Sequence, residues 1–257
     1  MDRISKSEVF KIAIYAGEIM LKNGAETYRV EDTINIICQS RKLWGVNSFV
    51  TPTGLFVSDN KADGISLIKR VESRTIDLDK ISKVNSFARD FVKFPMGYGH
   101  ARSMLDEIDA TPKYNPVLKF LAVGLASAFF ALIIGAHPID FAAAFIISTI
   151  SIIVYENISK ISDTAFLSTA LCSSIVTFFA IVSHVLGFGR NLDMIIVGAI
   201  MPLVPGVALT NGIRDLISGD LISGMARVCE AILIAISIAV GVGWVLKVWV
   251  SAFGGVL

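Results

Sequence analysis

The 257-residue chain is 54% hydrophobic and 18% charged, with a mean hydropathy of +0.67, whereas an ordinary soluble domain is about a quarter charged. Its net charge of +1 conceals an asymmetry, because 17 of 23 Lys and Arg and 15 of 22 Asp and Glu precede Val117. That distribution excludes a uniformly soluble globule, and no basic run is dense enough to argue for nucleic acid.

The first part of the chain reads as a mixed-charge α+β domain, residues 1–115. Residues 5–22 show helical periodicity, with Val9, Ile12, Ala16, Ile19 and Met20 on one face, and Asn23-Gly24 ends it. A second helix is expected from Glu26 to Leu43. Val46–Pro52 and Gly54–Ser58 read as strands, Asp59–Gly64 as a turn and Ile65–Ser73 as a third strand. Asp77–Phe94 and Ala101–Ile108 return to helix, with Gly97-x-Gly99 as a connector. Arg29, Glu31 and Asp32 read as a solvated helix face or an internal ion pair. No signal-peptide core is present at the N-terminus, since Glu8, Lys11 and Glu18 interrupt it, so this domain is expected in the cytoplasm.

Residues 116–257 read as an all-α transmembrane bundle of about five helices, each near the length a bilayer requires. They run approximately over Val117–Ala136, Ile139–Tyr155, the stretch between Asp163 and Arg190, Asp193–Thr210 and Arg227–Val250. Lys113 and Lys119 hold the start of the first span inside, and the cationic flanks favour a cytoplasmic N-terminal domain, with Arg190 and Lys247 as mild exceptions. Five is an odd number, so a second five-span unit following this one would be inverted relative to it. Inverted repeats that meet at a midplane site are a common transporter plan.

The run from Met201 to Asp215 carries the most chemistry. Pro202 and Pro205 remove backbone donors and should break the fourth span beside Gly206, and the freed carbonyls must face protein or a wet cavity. Thr210, Asn211, Arg214 and Asp215 follow at once, offering hydroxyl, amide, cation and carboxylate in what reads as the following loop. A tandem pentapeptide comes next, Asp215-Leu-Ile-Ser-Gly219 and Asp220-Leu-Ile-Ser-Gly224, in which Asp220 could cap the next helix. Asp215 could pair with Arg214 or Arg227. Glu230 stands a turn inside the fifth span and Glu156 closes the second. Both are proton-exchange candidates by depth, or interface groups paired with Arg227 or Lys160. His137 and His184 lack partners at ligand spacing and read as structural. Cys38, Cys172 and Cys229 form no Cys-x-x-Cys and read as buried reduced thiols, so no metal and no cofactor is expected. No phosphate-binding loop, nucleophile elbow or zinc-protease motif is present, which argues against an enzyme.

The stretch from Ala16 to Glu31, AGEIMLKNGAETYRVE, resembles the opening motif of the threonine/serine exporter family. Thr51-Pro52-Thr53, Arg70-Val71 and Asp77-Leu78 resemble it too, as does the later series Pro205-Gly206, Asn211-Gly212-Ile213-Arg214-Asp215, Gly219-Asp220, Gly224 and Arg227. The resemblance implies a proton-driven secondary exporter in a bacterial inner membrane. A chain of five spans corresponds to the larger subunit of the split form, whose partner is a second, smaller membrane subunit of about five spans. A homo-oligomer is compatible with the same reading. The cargo implied is threonine and serine or a succinate-like dicarboxylate. Pro205, Gly206, Thr210, Asn211, Arg214, Asp215 and Arg227 are the expected transport path, and Asp215, Asp220 and Glu230 the proton-coupling candidates. The competing reading is a membrane-anchored sensor or assembly protein that works through its cytoplasmic domain.

Overall fold

A computed structural model describes residues 4–60, 64, 66–72, 74–112, 114–161 and 164–254. Part of the expected Asp59–Gly64 turn, the end residues Ile65 and Ser73 of the third expected strand, Lys113 and Asp163 lie outside them. The chain forms two compact units, one of Met1–Pro112 with Val207–Val228, the other of Lys113–Gly206 with Cys229–Leu257.

The first unit begins with α1 (Lys6–Lys22), opened by a capping box in which Ser5 and Glu8 satisfy each other's backbone amides. Gly24 closes α1, with φ at +91° and the Schellman pair of bonds, Ala25 N–H to Met20 and Gly24 N–H to Leu21. α2 (Thr27–Ser40) follows, then β1 (Val46–Thr51), β2 (Gly54–Asp59) and β3 (Ser66–Arg70) in one antiparallel meander. α3 (Leu78–Lys93) and α4 (Tyr98–Asp109) complete the layer. The expected helical face of α1 is buried throughout, and Phe10, Ile19, Met20, Ile34, Leu55, Phe87, Phe91 and Leu105 fill one core. One expectation fails here. Gly99 is not in a connector, because α4 starts at Tyr98 with Gly97 as its N-cap.

The second unit contains α5 (Pro116–Ile133), α6 (Pro138–Ile158), α7 (Ala165–Val185), α8 (Leu192–Ile200) and most of α10 (Leu221–Phe253). Its polarity is inverted relative to a soluble core. Leu121, Leu125, Phe129, Ile146, Phe178, Leu233, Val240 and Trp244 are exposed, whereas Ala128, Ala131, Ala144, Ser148, Ser173, Thr177 and Ala180 are buried. Small residues inside and large apolar ones outside are how helices associate in lipid. α5, α6, α7 and α10 are long and apolar enough to cross a membrane, and a fifth crossing results if the bent fourth stretch counts as one.

That fourth stretch departs from expectation. Ten α-helices are present among the described residues, and six of them, not about five, lie in the apolar half. α8 ends at Ile200, Met201–Leu203 form a 3-10 turn, and α9 (Gly206–Ile217) starts afresh, as two prolines in four residues dictate. The residues after Thr210 are therefore helix rather than loop. α9 then ends at Gly219, φ +93°, in a second Schellman motif, with Asp220 N–H bonded to Asp215 and Gly219 N–H to Leu216.

Asp140, in the first turn of α6, is fully buried. It accepts backbone N–H bonds from His137 (2.9 Å), Arg190 (2.6 Å) and Asn191 (3.3 Å), pinning the α7–α8 connection to the start of α6. Glu156 pairs with Lys119 rather than Lys160. His137 caps α6 through its ring and His184 contacts the Gly189 carbonyl. Cys38 and Cys172 are buried, but Cys229 is exposed, so the buried-thiol reading fails for that residue.

Candidate functional site

A Schellman turn leaves the carbonyls just beyond it without helical partners, and in the first unit the Gly24–Ala25 turn is such a place. Two side chains from far along the chain supply donors. Asn211 Nδ2 donates to the Gly24 carbonyl at 3.0 Å, and an Arg227 terminal nitrogen donates to the Ala25 carbonyl at 2.8 Å. α9 and the start of α10 hold these two residues side by side because the two helices cross on glycines. A Cβ on Gly224 would lie 2.8 Å from the Gly212 carbonyl oxygen and 2.6 Å from Leu216 Cγ. Of the two pentapeptide glycines, Gly219 closes α9 and Gly224 makes this close contact.

The crossing brings Asp215 and Arg227 together, Oδ2 to Nε at 3.2 Å, with Asp215 fully buried and Arg227 nearly so. Two opposite charges taken out of water are tolerable only as a pair. Thr27, at the first residue of α2, donates its hydroxyl to Asp220 Oδ2 at 3.3 Å. Arg214 pairs with Glu26 at 2.5 Å, and Arg29 reaches the other oxygen of Glu26 at 3.2 Å. Ser223 donates to the Val50 carbonyl at 3.2 Å, and the Val50 N–H donates to Glu31 Oε1 at 2.7 Å. The cluster therefore contains four carboxylates, Glu26, Glu31, Asp215 and Asp220, and three guanidinium groups, Arg29, Arg214 and Arg227.

The carboxylates of α2 are not equivalent. Burial would raise Glu26, but its own backbone N–H, Arg29 and Arg214 outweigh burial and leave it below its usual range. Glu31 moves the other way. Burial lifts it, the Val50 N–H opposes, and Asp220, Asp32 and Asp215 lift it further. The site thus combines a fixed acid–arginine core with a half-buried carboxyl that takes up a proton more readily than an exposed one.

Of the residues expected from sequence, Asn211, Arg214, Asp215, Asp220 and Arg227 belong to this cluster. Asp215 chooses Arg227 over Arg214. Thr210 is exposed on α9, its hydroxyl donating to the Val207 carbonyl at 3.3 Å. Pro205, Gly206 and half-buried Glu230 belong to the second unit. Glu26, Thr27 and Glu31 were missed as site residues, and the Arg29, Glu31, Asp32 group is only partly a solvated face. Their one sequence trace was that they lie within the motif ending at Glu31. No group of three or more His, Cys, Asp and Glu among the described residues is arranged to hold a metal ion.

Comparison with known proteins accounts for the whole length of this arrangement. The family model "Putative threonine/serine exporter" matches residues 11–249. The "Probable threonine/serine exporter" of Mycobacterium tuberculosis is 20% identical over 248 residues, 94% of this chain but 46% of that protein. Two relatives named "Probable succinate transporter subunit YjjP" are similar over almost their full length. The Klebsiella aerogenes protein is 20% identical over 251 residues, 96% of each chain, and the Escherichia coli protein 21% identical over 246 residues, 94% of each. The chain therefore spans about half the length of the first relative and nearly all of the other two. No solved structure matches it. With apolar helices enough for four or five crossings and a match running from α1 into α10, the chain is a multi-pass membrane protein that belongs to the threonine/serine exporter family.

Proposed function

We propose that this chain is the larger subunit of a split, proton-coupled exporter of small polar metabolites in a bacterial inner membrane. Its first unit faces the cytoplasm, and a second, smaller subunit of about five spans completes the transporter. The observation that carries the reading is the broken α8–α9 stretch, which leads directly into the buried Asp215–Arg227 pair. A plain membrane anchor needs neither a break nor a desolvated ion pair. The length match to the two relatives named as transporter subunits supports the split form.

The cargo is threonine or serine, or a C4 dicarboxylate such as succinate. Asn211, Arg214, Asp215 and Arg227 are the path residues within the cluster, and Pro205, Gly206 and Thr210, at the helix break and on α9, are the further path residues of this reading. Glu31 joins Asp215, Asp220 and Glu230 as a proton-coupling group, since its environment favours protonation. The excess of acids over arginines suits an ammonium or a proton better than a dianion. If succinate is the cargo, the cluster serves coupling and the dianion binds elsewhere.

One observation favours a second reading, a sensor: the densest polar cluster lies wholly in the first unit, which has its own core. Efflux of labelled threonine, serine and succinate separates the two, measured in cells with this chain alone and with its five-span partner. Selective efflux that requires both chains and collapses with a protonophore is expected. Efflux that persists after Asp215→Asn, with normal membrane insertion, rejects the site. Absence of efflux of all three cargoes, with both chains inserted, favours the sensor.

A further inference from the structure

The first unit holds a second polar feature, apart from the cluster above. Lys11, Ile14, Tyr15 and Glu18 recur at helical spacing along one side of α1 and form one wall of an open cleft of about 300 Å³. Leu67, Ile68 and Lys69 of β3 form the second wall. Tyr98 and Arg102, one turn apart on α4, form the third.

The charges of this cleft are partly fixed in place. Glu18 is buried, and each of its oxygens faces a different lysine, Lys22 at 2.5 Å and Lys69 at 3.3 Å. Its single charge is thus shared by two cations. The Arg102 guanidinium carbon lies over the Tyr15 ring, 3.8 Å from its centre, and only its Nε is engaged, by Asp106 at 3.2 Å. The Tyr15 hydroxyl also donates to Asp106, at 2.8 Å, which fixes the ring beneath the guanidinium. Among the described residues the two terminal nitrogens of Arg102 have no hydrogen-bond partner, and Lys11 makes no ion pair. Three cations and the shared Glu18 line the space, Asp106 and Asp109 stand behind Arg102 and Tyr15, and Ile14, Leu67, Ile68 and Tyr98 supply apolar surface.

We infer that this cleft binds a compact organic anion, a carboxylate or phosphate carried on an apolar body. A guanidinium whose forked end is unoccupied, and which is held by a ring beneath it and by Asp106 at its Nε, is pre-organised for a carboxylate or phosphate, and Lys11 and Lys69 add charge from the other walls. The volume is at the lower end of small-molecule pockets and suits a ligand no larger than a mononucleotide. None of the cleft's lining residues belongs to the cluster proposed above as the transport path, so on that reading a bound metabolite would act on the exporter without occupying its path.

The test uses calorimetric titration of the full chain in lipid nanodiscs, with AMP as the phosphate probe, glutarate as the carboxylate probe and adenosine as the uncharged control. One anion is expected to bind at one site per chain more tightly than about 1 mM, and adenosine not to bind at that level. Lys11→Gln with Lys69→Gln should weaken the anion about tenfold or more, whereas Arg89→Gln, an exposed cation on α3, should leave it unchanged. Preference for AMP or glutarate identifies phosphate or carboxylate as the recognised group. Binding of both anions no tighter than about 1 mM overturns the inference. So does adenosine binding as tightly as AMP without glutarate binding, insensitivity to the paired lysine change, or equal loss in Arg89→Gln.

Discussion

Asp215→Asn removes one charge of a pair that is nearly free of solvent while keeping the shape of the side chain. Arg227 then retains its hydrogen bond to the Ala25 carbonyl but loses the carboxylate 3.2 Å from its Nε. Breaking a buried pair from one side costs about 3–5 kcal/mol, because the surviving charge stays desolvated. For a unit of this size each kcal/mol corresponds to about 4 °C, so unfolding of the first unit should fall by about 10–20 °C. Removing both charges, as Asp215→Leu with Arg227→Met, eliminates the stranded cation and leaves chiefly the unsatisfied Ala25 carbonyl, at about 1–3 kcal/mol. The double variant should therefore be more stable than the single one. Hydrogen exchange of the amides from Ala25 to Val30 reports this locally, since that turn is where the pair is anchored. A single variant costing less than about 1 kcal/mol would refute the claim that the pair is buried. Efflux adds the functional half: a double variant that regains protection but transports nothing shows that the charges do more than hold α9 to the turn.

Other outcomes follow from the same geometry. Glu31 has a folded pKa raised above its unfolded value, so its contribution is favourable at low pH and is lost as pH rises through the folded value. Glu31→Gln keeps an acceptor for the Val50 N–H without the charge. It should melt higher than the parent at pH 8, with the gap closing on acidification; a parent that gains on the variant as pH rises contradicts the assignment. Gly224→Val places a side chain against the Gly212 carbonyl, which cannot yield, and should cost about 1–3 kcal/mol or more in thermal unfolding. Equal stability of that variant would show that α9 and α10 do not need the close crossing. Asp140→Asn leaves fewer acceptors for the amides of His137, Arg190 and Asn191. Exchange at Arg190 and Asn191 should accelerate while the centre of α7 stays protected.

Elements whose causes are local were legible in the sequence, and those whose causes lie far apart were not. The apolar lengths of α5, α6, α7 and α10 follow from hydropathy alone, and the alternation of Val46–Asp59 leads directly to the first hairpin. The break at Pro202 and Pro205 was also predictable, since proline acts on its own turn. What misled was the polar run after Thr210, which resembles a loop in composition. Its helical state shows only when Gly219-Asp220 is recognised as closing a helix in the way Gly24-Ala25 closes α1. Asp140 is a similar case: one acid beside His137-Pro138 looks like a span end, and its partners come about fifty residues later. No periodicity links Glu26 to Arg214 or Ala25 to Arg227, which are separated by 188 and 202 positions. Such contacts leave no trace in a single sequence except that both partners are unusual for their neighbourhoods.

The make-up of the cluster argues that it is more than a fastening. Holding α9 and α10 to the Gly24–Ala25 turn requires two donors, and Asn211 and Arg227 suffice. Burying Asp215 opposite Arg227 adds little net stability over an apolar pair of the same volume. Glu31 is worse than neutral in this respect, since burial first, and then Asp220, Asp32 and Asp215, disfavour its charged form. A fold selected only for stability would place an amide there, with the same Val50 contact and no penalty. On the exporter reading proposed above, a carboxylate kept where it costs stability is the group to test for a change of protonation state. The outcome of Glu31→Gln therefore bears on mechanism as well as stability: higher stability together with loss of gradient-driven efflux assigns the proton to Glu31, and higher stability with full efflux leaves Asp215, Asp220 and Glu230 as its carriers.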